Sequence, residues 1–243
     1  MADGAVSRAD EAVFRPVRAG NPFEETVERL LQAIKLGVVG PGERLPSERD
    51  LAARLNVSRV TLREAIRALT EAGYVESRRG RYGGTFVNSQ LPKPRRLSAK
   101  QLTRELGAGV DDALVLRAAL ETGAAEAAAS RELTDAEAEH LKHCLAETSS
   151  ASLADYRRMD SRLHLAIAEV SGSPSLTSAT ADVRMRLNEL LDAIPLLAVN
   201  LDHSNRQHEV IIEAILAGDP TAARLAMQEH LSGTAALLRG FLT

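Results

Sequence analysis

Asp160 and His164 stand four residues apart, and His208 and His230 follow later in the chain. On a helix the first two share one face. Leu163, Ile167 and Val170 flank that face, which turns it inward. The stretch Ala217-Gly218-Asp219-Pro220 is a turn between two helical segments carrying His208 and His230, and it folds those segments against each other. Both rings can then meet the Asp160 and His164 face. One carboxylate and three neutral imidazoles hold a divalent ion such as Zn2+, Ni2+ or Mn2+, with positions left for water or a ligand. The plainer reading is that an Asp-x-x-x-His pair arises on many helices and that an inward histidine is more often a satisfied core residue.

A second set of side chains suits a different chemistry. Ser58, Arg59, Thr61 and Arg63 open a helical segment with hydroxyls and guanidinium groups. Only the front turns of a helix reach base edges in the major groove of DNA, and Arg is the side chain that pairs bidentately with guanine. The competing reading is a small domain whose arginines only solvate its surface. The arginines, however, cluster at two places, this helix start and the basic run Arg78-Arg79-Gly80-Arg81.

The surrounding elements are predicted from local signals. Phe23, Val27, Leu30, Leu31 and Ile34 make an apolar stripe on a first helix ending at Gly37, and Gly40-Pro41-Gly42 breaks the chain. Ser47 caps a second helix, with Asp50 three residues on, and Leu51, Ala52 and Leu55 form its apolar face. Asn56-Val57 makes a turn. Ser58 caps a third helix whose inner side is Leu62, Ile66 and Leu69, and Gly73 stops it. Tyr74 to Ser77 and Thr85 to Val87 are β-prone runs around a glycine-rich basic tip. Three helices and a hairpin in this order are a winged helix-turn-helix.

Beyond Leu97 strand alternation disappears and helical stripes recur. They cover Val110 to Arg131, Asp135 to Glu147, Leu153 to Val170, Ser175 to Ile194, Ser204 to Leu216 and Pro220 to Leu238. Thr134 with Glu137 reads as a capping box, and Asp219-Pro220 as a cap followed by proline in the first turn. The fold class expected is mainly α: a winged helix-turn-helix of α+β type, then an all-α bundle of six to seven helices. The expected layout is a flexible arm over residues 1–20, a DNA-binding domain over 21–90, a linker over 91–100 with Pro92 and Pro94, and the bundle over 101–243.

The motifs Leu45-Pro-Ser-Glu-Arg-Asp-Leu51, Val57-Ser-Arg-Val-Thr-Leu-Arg-Glu-Ala65 and Gly83-Gly-Thr-Phe-Val87 occur in sequence. Together they resemble the DNA-binding domain of the GntR family of bacterial transcription regulators. The resemblance implies that Arg49 touches a backbone phosphate or an outer base. It makes Ser58, Arg59, Thr61 and Arg63 the recognition-helix contacts, and Arg79 and Gly80 the wing tip that enters the minor groove. Val60 departs from the small polar residue common in that slot, which opens an apolar contact such as one to a thymine methyl.

The later part, with Arg117-Ala-Ala-Leu-Glu121, Asp160-x-x-x-His164, His208, Gly218-Asp219 and Met227-x-x-His230-Leu231, is similar to the ligand-binding FCD domain of the FadR subfamily. Many members carry a metal on this set, which strengthens the assignment of Asp160, His164, His208 and His230. The same resemblance places Arg117 against the effector. A guanidinium beside a metal with free positions clamps a carboxylate; the plainer reading is a helix arginine paired with Glu121 at i+4. Ser173 stands where Asn is usual. His140, His143 and Cys144 crowd one helix and read as a polar face, and His203 as an exposed helix start.

Charge agrees with this division. The chain of 243 residues carries a net charge of −3. Residues 1–96 hold 17 Lys and Arg against 12 Asp and Glu, a balance of +5; the remainder stands at −8. Only the front part is suited to a polyanion. One cysteine excludes an intramolecular disulfide and fits a reducing cytoplasm, and no apolar run approaches a membrane span. The expectation is a non-enzymatic regulator, most simply a repressor, that binds palindromic double-stranded DNA as a homodimer and answers to a small carboxylate. Two other readings stay open: a metal-free regulator with an apolar effector pocket, and a metal-dependent hydrolase.

Overall fold

The computed structural model describes residues 13–14, 22–80, 83–92, 109–192, 194 and 198–242. The expected arm, apart from Val13 and Phe14, and the expected linker, apart from residues 91 and 92, lie outside this range, as do Arg81 and Tyr82 of the hairpin tip. Val13 and Phe14 are buried. Contacts divide the chain into two compact units, residues 1–94 and 95–243.

The first unit contains α1 (Pro22–Lys35), α2 (Glu48–Leu55), α3 (Arg59–Glu71), β1 (Val75–Arg78) and β2 (Gly84–Val87). Its helix boundaries follow the caps. Ser47 Oγ accepts the Asp50 amide, and its hydroxyl donates to the Asp50 carboxylate at 2.6 Å. Asn56 ends α2 in the left-handed region at φ 52°, which asparagine tolerates better than most residues. Ser58 Oγ accepts the Thr61 amide at 3.0 Å and starts α3. Gly73, at φ +79°, lets the chain reverse so that the Tyr74 amide reaches Leu69 O at 2.9 Å. Tyr74 is therefore spent on closing the helix, and β1 begins one residue later than the β-prone run suggested.

β1 and β2 pair antiparallel in the register Val75↔Val87 to Arg78↔Gly84. The segment before α2 adds a third edge: the Leu45 amide donates to Thr85 O, and the Val87 amide donates to Glu43 O. Leu30, Ile34, Leu45, Leu51, Leu55, Leu62, Leu69, Val75 and Val87 are buried. The predicted inward faces of α2 and α3 are buried; on α1 Leu30 and Ile34 are buried, but Phe23, Val27 and Leu31 are half-buried and Thr26, Gln32 and Ala33 share the buried face. The arginine-bearing side of α3 is left outside.

The second unit is all helix among its described residues: α4 (Gly109–Ala129), α5 (Asp135–Ser149), α6 (Tyr156–Val170), α7 (Pro174–Asp192), α8 (Ala198–Leu216) and α9 (Pro220–Leu242). α4 packs on α6, α7, α8 and α9, which makes it the central element. Ala124, Ala125, Ala128 and Ala129 are buried along it, so neighbouring backbones can come close. The Thr134 and Glu137 capping box is formed, and Asp219 Oδ1 accepts the Ala222 amide at 2.9 Å. Ser173 accepts the Leu176 amide at 3.3 Å, the same service asparagine gives at a helix start. The helix expected from Ser204 begins instead at Ala198. Ser204 looks like a cap in isolation, but it lies inside α8 and lines a cavity there. His203 is exposed within that helix, not at its start.

Candidate metal centre and nucleic-acid interface

α6, α8 and α9 bring Asp160, His164, His208 and His230 together; one donor atom of each lies within 4.8 Å of the others. His208 Nε2 is 3.3 Å from His230 Nε2 and 3.4 Å from Asp160 Oδ1, and His164 Nε2 is 3.8 Å from Asp160 Oδ1. The three imidazoles are buried, at 1%, 0% and 3% exposure. Two ligands of one ion, each about 2.1 Å from it, can be at most about 4.2 Å apart; the separations of 3.3, 3.4 and 3.8 Å meet that limit, and the widest, up to 4.8 Å, closes to it with a side-chain shift of about half an ångström.

The protonation states fit as well. His208 is pushed down to about 3, first by burial and then by the neighbouring cations. Burial and the other two histidines hold His230 well below its usual value. Neutral imidazoles are the ligating form. His230 Nδ1 lies 3.2 Å from Gln207 Oε1, so this nitrogen donates its N–H there and turns the Nε2 lone pair toward the centre. His164 Nε2 is buried without a hydrogen-bond partner in the protein. Nitrogen lone pairs facing one another at a buried site repel unless a cation or proton lies between them. The donor set therefore fits a divalent ion.

Around the four lies a buried charge network. Asp160 Oδ2 accepts from Arg184, which is fully buried. Burial alone would raise the Asp160 carboxyl, but the Arg184 guanidinium beside it holds it far below the usual range. Glu121 is held down in the same way, against burial, by Arg117, His164 and Arg184. Its Oε2 lies 2.9 Å from His164 Nδ1 and accepts Arg117 Nε at 3.1 Å. Arg117 is 2% exposed, and its Nη1 makes no hydrogen bond in the protein. The i+4 pair with Glu121 of the plainer reading is present, but it is buried. Arg117, Asp160 and His230 form one wall of a cavity of about 280 Å³, with Tyr156, Ser204, Gln207 and Thr234 adding polar groups and Leu191 and Leu237 apolar ones.

Sequence reasoning missed Arg184 and Gln207 and took Glu121 only as a partner of Arg117. Arg184 did leave a signal: with Thr180, Ala181 and Leu187 it stands at core spacing on α7, where a charged residue needs a reason. Of the other histidines, His140 lies 3.0 Å from Glu169 Oε2 beside the Arg162 guanidinium, and exposed His143 is 3.6 Å from Glu147. Neither belongs to the cluster.

In the first unit the predicted DNA contacts lie on the surface. Arg49 is 78% exposed at its side chain. Arg59 and Arg63 project from the first two turns of α3, and Val60 is exposed beside them. Ser58 and Thr61 hydroxyls lie 2.8 Å apart, so part of their hydrogen-bonding capacity serves the helix start. Arg78 is drawn over the Phe86 ring at 4.4 Å and paired with Glu76, whereas Arg79 and Gly80 remain exposed at the tip. Gly80 has φ +108°, a conformation open to glycine.

Residues 22–87 match the family model described as bacterial regulatory proteins, gntR family, and residues 112–233 match the FCD domain. The chain is 33% identical over 217 residues to the putative L-lactate dehydrogenase operon regulatory protein of Escherichia coli (strain K12), covering 86% of this chain and 83% of that one. It is 32% identical over 240 residues to the HTH-type transcriptional repressor NanR of Citrobacter rodentium, covering 91% and 87%. A solved structure of E. coli McbR/YncC shares the fold with TM-score 0.53 at 20% identity, covering 91% of this chain and 98% of that one.

Proposed function

The chain belongs to the GntR family of bacterial transcription regulators, with an FCD domain after its DNA-binding domain, and from that premise we propose that it is a metal-dependent sensor of a small organic acid that governs DNA occupancy. In this proposal residues 21–90 read the operator, 91–100 link, and 101–243 sense. Asp160, His164, His208 and His230 hold a divalent ion, with Zn2+ favoured by three imidazoles and one carboxylate. The ion polarises and anchors the acid when bound. Arg117 pairs with the carboxylate, Gln207 sets the His230 tautomer, and Arg184 keeps Asp160 ionised.

The observation that carries the reading is the charge balance of the buried site. Arg117 and Arg184 neutralise Asp160 and Glu121. A divalent ion then leaves two uncompensated positive charges beside the cavity, in a medium where isolated charge is costly. An anionic ligand removes that excess, and Arg117 Nη1 stands ready for it. The polar wall also weighs against a purely apolar pocket, and the named relatives are regulators, which weighs against a hydrolase.

On the DNA side, Arg49, Ser58, Arg59, Thr61, Arg63, Arg79 and Gly80 supply the contacts. Two subunits place α3 helices in successive major grooves of a palindrome. A relative named a repressor supports repression as the sign of control, the ligand relieves it in this proposal, and a role on bacterial DNA supports a cytoplasmic protein. The test is a thermal-shift and gel-shift screen of hydroxy acids, sugar acids and dicarboxylates on metal-loaded protein. An acid that stabilises the protein and releases its DNA, only with metal present, is the expected result. Metal content near zero that does not rise on adding Zn2+ or Ni2+ overturns the metal reading.

A further inference from the structure

Arg49, Arg67 and Arg78 of the first unit pair within their own element. Arg67 Nε meets Glu71 Oε1 at 2.9 Å one turn along α3, and Arg78 Nη2 meets Glu76 Oε1 at 2.6 Å on β1. Arg63 differs. Its Nε donates to Glu48 Oε2 at 2.8 Å, and Glu48 opens α2, fifteen positions earlier in sequence. The two side chains are 64% and 41% exposed. A pair this exposed adds little to folding stability. What it supplies is direction.

Arg63 and Arg59 are four apart and share one face of α3. Arg59 makes no ion pair among the described residues, so its long chain is not held by a carboxylate. Arg63 is tethered through Nε, which leaves the two terminal amino groups of its guanidinium for another acceptor. Guanine presents O6 and N7 side by side, and bidentate pairing needs the fork to arrive in the plane of the base. Holding the side chain beforehand lowers the entropy lost when it docks. The geometry points to Glu48 as a positioning residue that aims Arg63 at a guanine and so sets base discrimination. This rests on α3 being the helix that reads DNA.

The assignment has a signature that a merely structural role lacks. Glu48 is a negative charge near a polyanion, so removing it leaves non-specific binding equal or tighter. Discrimination moves the other way, because Arg63 loses its aim. Full-length wild-type protein is first used to select duplexes from a random pool, which defines the operator. Arg63→Ala then identifies the base pair that Arg63 reads. Glu48→Gln and Glu48→Ala are expected to lower preference at that same base pair by roughly fivefold, with random duplex bound as well as before or better. The double variant Glu48→Gln/Arg63→Ala should discriminate no worse than Arg63→Ala.

A wild-type protein that enriches no duplex removes the DNA reading and this inference together. If selection succeeds but the Glu48 variants tighten on every duplex with preference intact, Glu48 only screens phosphate and the inference falls. An additional loss in the double variant also overturns it, since Glu48 would then act apart from Arg63.

Discussion

At Arg59 and Arg63 exposed guanidinium groups meet the requirement for reading guanine, and alanine at either position should weaken operator binding by about 1–3 kcal/mol. A gel shift with unchanged affinity for both variants would refute the assignment of α3. In the bundle, His208→Ala removes one donor from the set of four, and bound metal measured after dialysis should fall well below that of the unaltered protein. Arg184→Met leaves Asp160 and Glu121 short of one buried cation. Breaking such a network costs roughly 3–5 kcal/mol, so the urea midpoint should drop sharply even without metal. Wild-type stability in that variant would show that Arg184 is not needed by the site. The cluster histidines and Arg117 stand out in the sequence through their likeness to the FCD motifs, since an Asp-x-x-x-His pair by itself arises on many helices. Gln207 does not, because its contact with His230 depends on how α8 and α9 rotate against each other.

Single elements are held by caps whose contribution is open to test. Thr134 and Glu137 start α5 reciprocally, and Thr134→Ala should cost about 1 kcal/mol in chemical denaturation. Glu137 also titrates in a useful way. Burial opposes ionisation, but the Thr134 amide and hydroxyl and the Arg131 guanidinium lower its pKa to about 2. A carboxylate depressed in the folded state contributes stability above its free value near 4.5, and that contribution is lost as pH falls from there toward 2. Wild type and Glu137→Gln should therefore differ most in melting temperature above pH 4.5 and converge in acid. Parallel curves would show that the cap does not titrate as described. Ser173→Asn should be nearly neutral, since both residues cap a helix start. Caps of this kind are legible in sequence because they act over three residues. The true start of α8 is not, because Ser204 imitates a cap while facing a cavity.

For the whole molecule the proposal joins two activities in one chain. Arg117→Ala should keep operator binding and lose the response to the acid, because Arg117 lies in the sensing unit and not in the reading one. A full response in that variant would take Arg117 out of the mechanism. Footprinting should show two protected half-sites about one helical turn apart, as two symmetric readers require. A single unpaired half-site would exclude the dimeric arrangement.

The order of elements, the inward faces of α2 and α3 and the division between a basic front part and an acidic bundle were all present in the residues, because periodicity, caps and charge act locally. Tertiary structure alone decided what surrounds Asp160, His164, His208 and His230. Arg184 and Glu121 become a buried counter-charge network only when α4, α6 and α7 close on one another, and Glu48 meets Arg63 only because α2 packs on α3. Electrostatic partners are chosen by distance in space and by exclusion of water, and neither quantity is written along the chain.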